Sequence, residues 1–318
     1  MNVLVADKFE TEGIEGLQRI GCRVTQDADL SGDSLRDALT NGAEVLVVRS
    51  TQVTADMLTS AKSLKLIIRA GSGYNTIDTA AARAKGIDVA NCPGMNATAV
   101  AELAMGLMLA LDRRIVDNTN DLRQGVWNKK EYSKALGLKG RTLGIVGLGK
   151  IGMLIAQRAK AFEMQLIYSD VVANPAAEKE LGIAKVEFED LLRTADFVSL
   201  HVPLTDSTRK LFDDRRLAMM KPTAILINCS RGEVVDSAAL ARALDAGKLR
   251  GAGLDVYETE PGASDKVFGD VSGKCARVYG THHIGASTDQ AQIAVAEETV
   301  RIVENFMKTG KTLNCVNA

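Results

Sequence analysis

Short β-branched runs recur along this chain, each separated from the next by a stretch with apolar residues at helical spacing. The runs are "NVLVAD" (2–7), "VLVVRS" (45–50), "LKLIIRA" (64–70), "IDVANC" (87–92), "TLGIVG" (142–147), "QLIYSD" (165–170), "FVSLHV" (197–202), "AILINC" (224–229) and "GAGLDV" (251–256). Strands that are apolar nearly throughout need cover on both faces, and strands alternating with helices are joined by crossovers and so run parallel. The chain is therefore expected to be α/β, with doubly wound parallel sheets. Its 318 residues are enough for two domains of ordinary size. Breaker clusters at "NCPGMN" (91–96) and "HHIGAS" (282–287) are the expected hinges. The stretch 288–309 reads as one amphipathic helix.

Several function classes are disfavoured at once. The formal net charge is −1, and no basic stripe interleaved with aromatics is present, which argues against a nucleic-acid partner. The most apolar stretch, "ATAVAELAMGLMLAL" (97–111), is too short for a bilayer and contains Glu102. The N-terminus runs straight into a strand with no leader pattern. Five cysteines are scattered without CxxC spacing, so neither a disulfide framework nor a metal site is expected. A reducing cytoplasm is the expected compartment.

The segment "TLGIVGLGKIGMLIAQRAKAF" carries Gly147, Gly149 and Gly152 as GxGxxG. The motif alone is weak, but here it leaves a strand and opens a helix, and the next strand ends in Asp170. That full context is a dinucleotide fingerprint: a tight turn, close backbone approach to a pyrophosphate, and a carboxylate for the ribose hydroxyls. Asp170 would repel a 2′-phosphate and the following "VVANPAAE" has no basic residue, so NAD is expected rather than NADP.

In an open parallel sheet, ligands bind beyond the carboxyl ends of the strands. Ser230-Arg231-Gly232 follow "AILINC", Glu258 and Glu260 follow "GAGLDV", and the pair His282-His283 follows "CARVYG". An arginine could fork onto a substrate carboxylate and polarise the carbonyl beside it. A histidine could shuttle the hydroxyl proton, with a glutamate fixing its tautomer and favouring the charged ring. Spacing leaves open which glutamate and which histidine, because adjacent side chains diverge in extended backbone.

Further pieces are "VVRSTQVT", "RAGSGYNTID", "NCPGMNATAVAE", "GVWNKKEY", "LHVPLT", "INCSRGEVVD", "GLDVYETEP", "HIGAST" and a terminal "NCVNA". With the glycine loop, these resemble the D-isomer-specific 2-hydroxyacid dehydrogenases nearly end to end. The resemblance implies catalysis by Arg231, by Glu260 just before proline, and by His283 just before "IGA". It further implies cofactor contacts from Ser72, Lys150, Ile151, Asp170, Val202, Cys229, Ser230, Asp255 and Ala286. The implied fold is two interleaved domains, a flavodoxin-like substrate domain (1–95 with 285–318) and a Rossmann cofactor domain (96–284), with the substrate between them. The helix from about residue 96 and "LRQGVWNKKEY" resemble the dimer-forming region of the family, which implies a homodimer.

Within the family the chain is most similar to the branch that oxidises 3-phosphoglycerate. Arg49 and Arg69 end strands, and Lys129 and Lys130 sit in "WNKKEY"; together they could supply charge for a phosphate ester, with Gly71, Ser72 and Gly73 offering N–H groups to the carboxylate. Reduction of hydroxypyruvate or glyoxylate is the near alternative, and a non-catalytic NAD(H)-sensing module shares the fold. Two features depart from the family pattern: the stretch between Glu260 and His283 is several residues longer than usual, and His282 replaces a usual proline. The chain also ends soon after its last helix, so feedback through a regulatory extension is not expected.

Overall fold

The computed structural model describes residues 1–261 and 267–318. The chain divides into two compact units, Met1–Asn96 with Ala286–Ala318, and Ala97–Gly285. Both crossings between units fall inside the breaker clusters at 91–96 and 282–287.

The first unit holds β1 (Asn2–Val5), β2 (Arg23–Gln26), β3 (Val45–Val48), β4 (Leu66–Arg69) and β5 (Asp88–Asn91), in spatial order β2-β1-β3-β4-β5. All four pairings are parallel, and the order reverses between β1 and β3. Alternate residues of β1, β3 and β4 feed two separate cores, one with Leu4, Leu46 and Ile67 and one with Val3, Val45 and Ile68. This is the expected consequence of a sheet covered on both faces. Helices Thr11–Arg19 and Asp289–Thr309 share the core on the second face, where Leu17 of the first and Val295, Ala296, Ile302 and Val303 of the second cluster with Val3 and Val5.

The second unit holds β6 (Thr142–Val146), β7 (Gln165–Ser169), β8 (Ala184–Lys185), β9 (Phe197–Leu200), β10 (Ile225–Asn228), β11 (Gly251–Leu254) and β12 (Val278–Gly280). The order is β12-β11-β10-β9-β6-β7-β8, again parallel throughout. The reversal lies between β6 and β9, the switch point at which open α/β sheets form their crevice. This doubly wound architecture agrees with the fold class expected from the alternation of strands and helices.

Every apolar run named above contains a strand. Three strands have no such run: β2 is polar and largely exposed, β8 has only two residues, both exposed, and β12 has three, of which only Tyr279 is buried. All three lie at sheet edges, where the packing that marks an inner strand is incomplete and the apolar signal fades. The apolar stretch at 97–111 lies within helix Ala97–Arg113, which ends where Arg114 turns left-handed at φ 51° before helix Ile115–Arg123 begins.

Candidate active site

Because all strands of the second sheet are parallel, the residues that follow them line one rim. In spatial order these are Thr281–Gly285, Asp255, Cys229–Arg231, His201–Val202, Gly147–Leu148 and Asp170.

The glycine loop sits at the switch point. A side chain on Gly147, whose φ is +92°, would collide with the His201 carbonyl of the neighbouring strand end, and one on Gly152 with the Gly147 carbonyl. Gly149, which caps helix Lys150–Ala161, has open space where its side chain would stand. The loop is thus sealed underneath and bare above, the shape a pyrophosphate needs over a helix N-terminus. Lys150 is exposed and Ile151 half-buried at the same turn. Asp170 accepts hydrogen bonds from the Leu148 N–H (2.7 Å) and the Val172 N–H (3.2 Å), so its carboxylate is held at the loop. Val171 and Val172 beside it are 97% and 70% exposed, leaving apolar surface free next to that carboxylate. These residues fit a dinucleotide with an unphosphorylated ribose. Half-buried Val202 flanks the loop from β9.

Two strands away, Asn228 ends β10 and organises the next turn. Its Oδ1 accepts from the Ser230 N–H and hydroxyl, and its Nδ2 donates to the Arg231 carbonyl. The guanidinium of Arg231 donates to the Ser230 carbonyl at 2.7 Å. Burial pushes the Cys229 thiol far up, so it stays neutral; among the functions the sequence suggests, only a backbone or packing contact suits it.

Asp255, 2% exposed, holds the histidine segment. Its carboxylate accepts from the Thr281 hydroxyl (2.6 Å) and from the Ile284 and Gly285 N–H groups (2.8 Å each), and its carbonyl accepts from the His283 N–H. His283 is thereby fixed in left-handed backbone at φ 53°, an uncommon conformation for a residue other than glycine. Its Nδ1 lies 2.8 Å from Glu260 Oε2, while Glu260 Oε1 accepts from the Tyr257 N–H. The hydrogen bond to Glu260 raises the His283 pKa; burial and the Arg231 charge oppose it, and the Glu260 and Asp255 charges assist. Glu260 is lowered: burial alone would raise it, but His283, the Tyr257 N–H and Arg231 outweigh that. Arg231 thus acts electrostatically on both partners. The ring is half-exposed.

His282 is exposed and takes no part in this pair. Glu258 has its own work, accepting from the Ser237 N–H and pairing with Lys210 at 2.9 Å. Of the alternatives the spacing left open, the geometry joins Glu260 to His283.

The remaining candidates lie elsewhere. In the first unit Arg49 directly follows β3 and Arg69 ends the neighbouring parallel strand β4, where it pairs with Val48. Arg49 faces Glu10 at 3.6 Å, and the Arg69 guanidinium folds over Gly71. Ser72 is fully engaged, donating to Asn96 Oδ1 and accepting on its backbone carbonyl from Asn91. Gly73 is half-buried, and Ala286 opens the returning part of this unit. Lys129 and Lys130 are exposed in the short helix Lys129–Tyr132 of the second unit. A cavity of about 830 Å³ in that unit, lined by Arg114, Glu131 and Tyr132 among others, is separate from Glu260 and His283.

Sequence reading missed Asn228 and the clamping role of Asp255. A polar residue closing an otherwise apolar buried strand was the available signal for Asn228. It also passed over the chain's third histidine, His201, whose Nε2 lies 2.7 Å from Ser199 Oγ. The His201 Nδ1 is buried without a partner among the described residues, and burial lowers the ring's pKa to about 3.

Residues 105–285 match the model of the D-isomer specific 2-hydroxyacid dehydrogenase NAD binding domain. The chain is 40% identical, over its whole length, to a D-3-phosphoglycerate dehydrogenase of Methanocaldococcus jannaschii, of which it spans only 59%. It is 46% identical to a hydroxypyruvate reductase of Thermotoga maritima over 83% of this chain and 84% of that one. Among solved structures, a D-lactate dehydrogenase of Aquifex aeolicus complexed with NAD and lactic acid superposes with a TM-score of 0.83 at 29% identity, covering 100% and 99% of the two chains.

Proposed function

The chain belongs to the D-isomer-specific 2-hydroxyacid dehydrogenases, and from that premise we propose that it oxidises the C2 hydroxyl of a D-2-hydroxy acid with NAD. The observation that carries this reading is the 2.8 Å Glu260–His283 pair, set with Arg231 on the same rim as the glycine loop. Bound NAD supplies the hydride acceptor. Glu260 holds the Nδ1 proton, so Nε2 of the neutral ring is the acceptor for the hydroxyl proton. Arg231 forks onto the substrate carboxylate and stabilises charge growing on the C2 oxygen.

Because the His283 pKa is raised, oxidation, which needs the neutral ring, gains rate as pH climbs through that raised value. Reduction, which needs the charged ring, loses rate over the same interval. His283→Ala is the test: kcat should fall by about 10²- to 10⁴-fold, the range for a general base, with NADH affinity held within about twofold. Unchanged turnover would sink the mechanism.

We read the substrate as 3-phosphoglycerate. The relative in Methanocaldococcus jannaschii and the two adjacent strand-end arginines, Arg49 and Arg69, support this. Reduction of hydroxypyruvate is the second reading, favoured by the higher identity to the reductase and by Glu10 standing against Arg49. A purely sensing module has no need of a tautomer-fixing carboxylate on a strained histidine. The exposed apolar side chains Ile115, Val116, Leu122, Val126, Trp127 and Leu136 support a homodimer formed through this region, which sedimentation velocity would check. Five free cysteines support a reducing compartment such as the cytoplasm, and no helix among the described residues is long and apolar enough to cross a membrane.

A further inference from the structure

Glu260 and His283 are joined by the excursion 261–282. Residues 262–266 of it lie outside the described residues; Val267–Lys274 do not. Within that part Asp270 is 2% exposed. A buried carboxylate is costly unless its oxygens are satisfied. Here Oδ1 accepts from the Ser272 N–H (2.9 Å) and hydroxyl (2.6 Å), and Oδ2 from the Ser237 hydroxyl (2.8 Å) and the Thr259 N–H (3.2 Å). Burial pushes its pKa up, but these donors win and it stays ionised, below the usual carboxylate range.

The donors belong to three pieces of chain that Asp270 ties together. Ser237 opens helix Ser237–Asp245, Ser272 lies in the excursion itself, and Thr259 directly precedes Glu260. Glu258 fastens the same segment to the same helix end through the Ser237 N–H. On the apolar side, the Phe268 ring packs edge-on against Tyr257, with centroids 4.7 Å apart. The turn Tyr257–Glu260 is thus gripped by Asp270 on one side and Phe268 on the other. Only from this turn does Glu260 reach His283, and its Oε1 bonds back to the turn's own Tyr257 N–H.

We propose that Asp270 is a positioning residue for the Glu260–His283 pair, and that the stretch Val267–Lys274 serves as a latch that aims Glu260. The inference rests on the reading of His283 as the acid–base group. It predicts that loosening the turn weakens the hydrogen bond to Nδ1 and lets the ring titrate nearer its ordinary range.

Asp270→Asn keeps the shape and withdraws one acceptor oxygen. The decisive readout is the titration of the His283 ring by NMR, in a chain with three histidines, on protein shown to be folded by its melting transition. The expected result is a lowered His283 pKa, a matching downward shift of the acid limb of kcat/KM for oxidation, a kcat reduced about tenfold, and unaltered NADH affinity. A lower melting temperature with His283 titrating as in the parent would overturn the latch and leave Asp270 a purely structural carboxylate. Should Asp270→Asn fail to fold, Ser237→Ala removes a single donor and must show a smaller shift of the same sign; no shift overturns the inference. Glu260→Gln separates the two levels. A shift there without one in the Asp270 and Ser237 variants defeats the latch alone, whereas an unmoved His283 in Glu260→Gln defeats the acid–base reading and the latch with it.

Discussion

Each sheet has an aspartate just past a strand, and each aspartate clamps a loop, yet the two loops are prepared for different tasks. In the first unit Asp7, after β1, accepts from the N–H groups of Arg49, Ser50 and Thr51 and from the Ser50 hydroxyl. In the second, Asp255 after β11 accepts from Thr281, Ile284 and Gly285. The first clamp fixes a backbone and leaves the Arg49 side chain in a part-exposed ion pair with Glu10. The second fixes a backbone in left-handed conformation and delivers an imidazole to a carboxylate at 2.8 Å. One device thus holds a backbone beside a guanidinium–carboxylate pair, and the other holds an imidazole against a carboxylate. Binding of a charged group tolerates several side-chain poses, whereas proton transfer does not.

The sharpest way to break the comparison is to remove each clamp. Asp255→Ala should cost at least about 10²-fold in kcat, since His283 then leaves its strained geometry. Asp7→Ala, which also leaves several buried donors unpaired, should cost about 2–3 kcal/mol of stability by denaturant titration. Its turnover of glyoxylate should stay within a few-fold of the parent. Equal catalytic losses in the two variants would erase the distinction.

A middle-sized effect sharpens the first unit's side of the comparison. Arg69→Met should lower kcat/KM for 3-phosphoglycerate by about 10²-fold while changing that for glyoxylate by less than about threefold. A uniform loss for both substrates would instead assign Arg69 to the fold of the loop.

The last contrast concerns the one histidine outside both clamps. His201 is neutral in the folded chain down to about pH 3, against an ordinary value of 6.5. Between those values only the unfolded chain takes up the proton, so stability is full above pH 6.5 and declines as pH falls through the interval. His201→Gln should flatten that part of the curve in urea titrations at a series of pH values, without moving the pH dependence of turnover.

Legibility in the sequence followed the same division. The glycine loop was readable because its parts are contiguous and its chemistry is steric: Gly147, Gly149 and Gly152 announce a bare turn without reference to anything remote. Strands buried on both faces announced themselves by apolar continuity, and β2, β8 and β12, all at sheet edges, escaped because they lack it. The Glu260–His283 contact was readable only as a set of residues sharing a rim, since the register of the excursion between them decides which glutamate meets which ring. Asp270 left no trace at all. An aspartate in a loop looks solvated until the fold surrounds it with Ser237, Thr259 and Ser272.

The interleaving of the two units has a consequence for the order in which the chain is made. Ala97–Gly285 is continuous in sequence and can close its core as soon as it has been synthesised. The first unit, begun earlier, stays unfinished: Val3, Val5 and Leu17 await Val295, Ala296, Ile302 and Val303 of helix Asp289–Thr309. That face of the first-made sheet therefore has only helix Thr11–Arg19 for cover through most of synthesis, and a ribosome that stalls before residue 289 leaves a finished second unit joined to an incompletely covered first one.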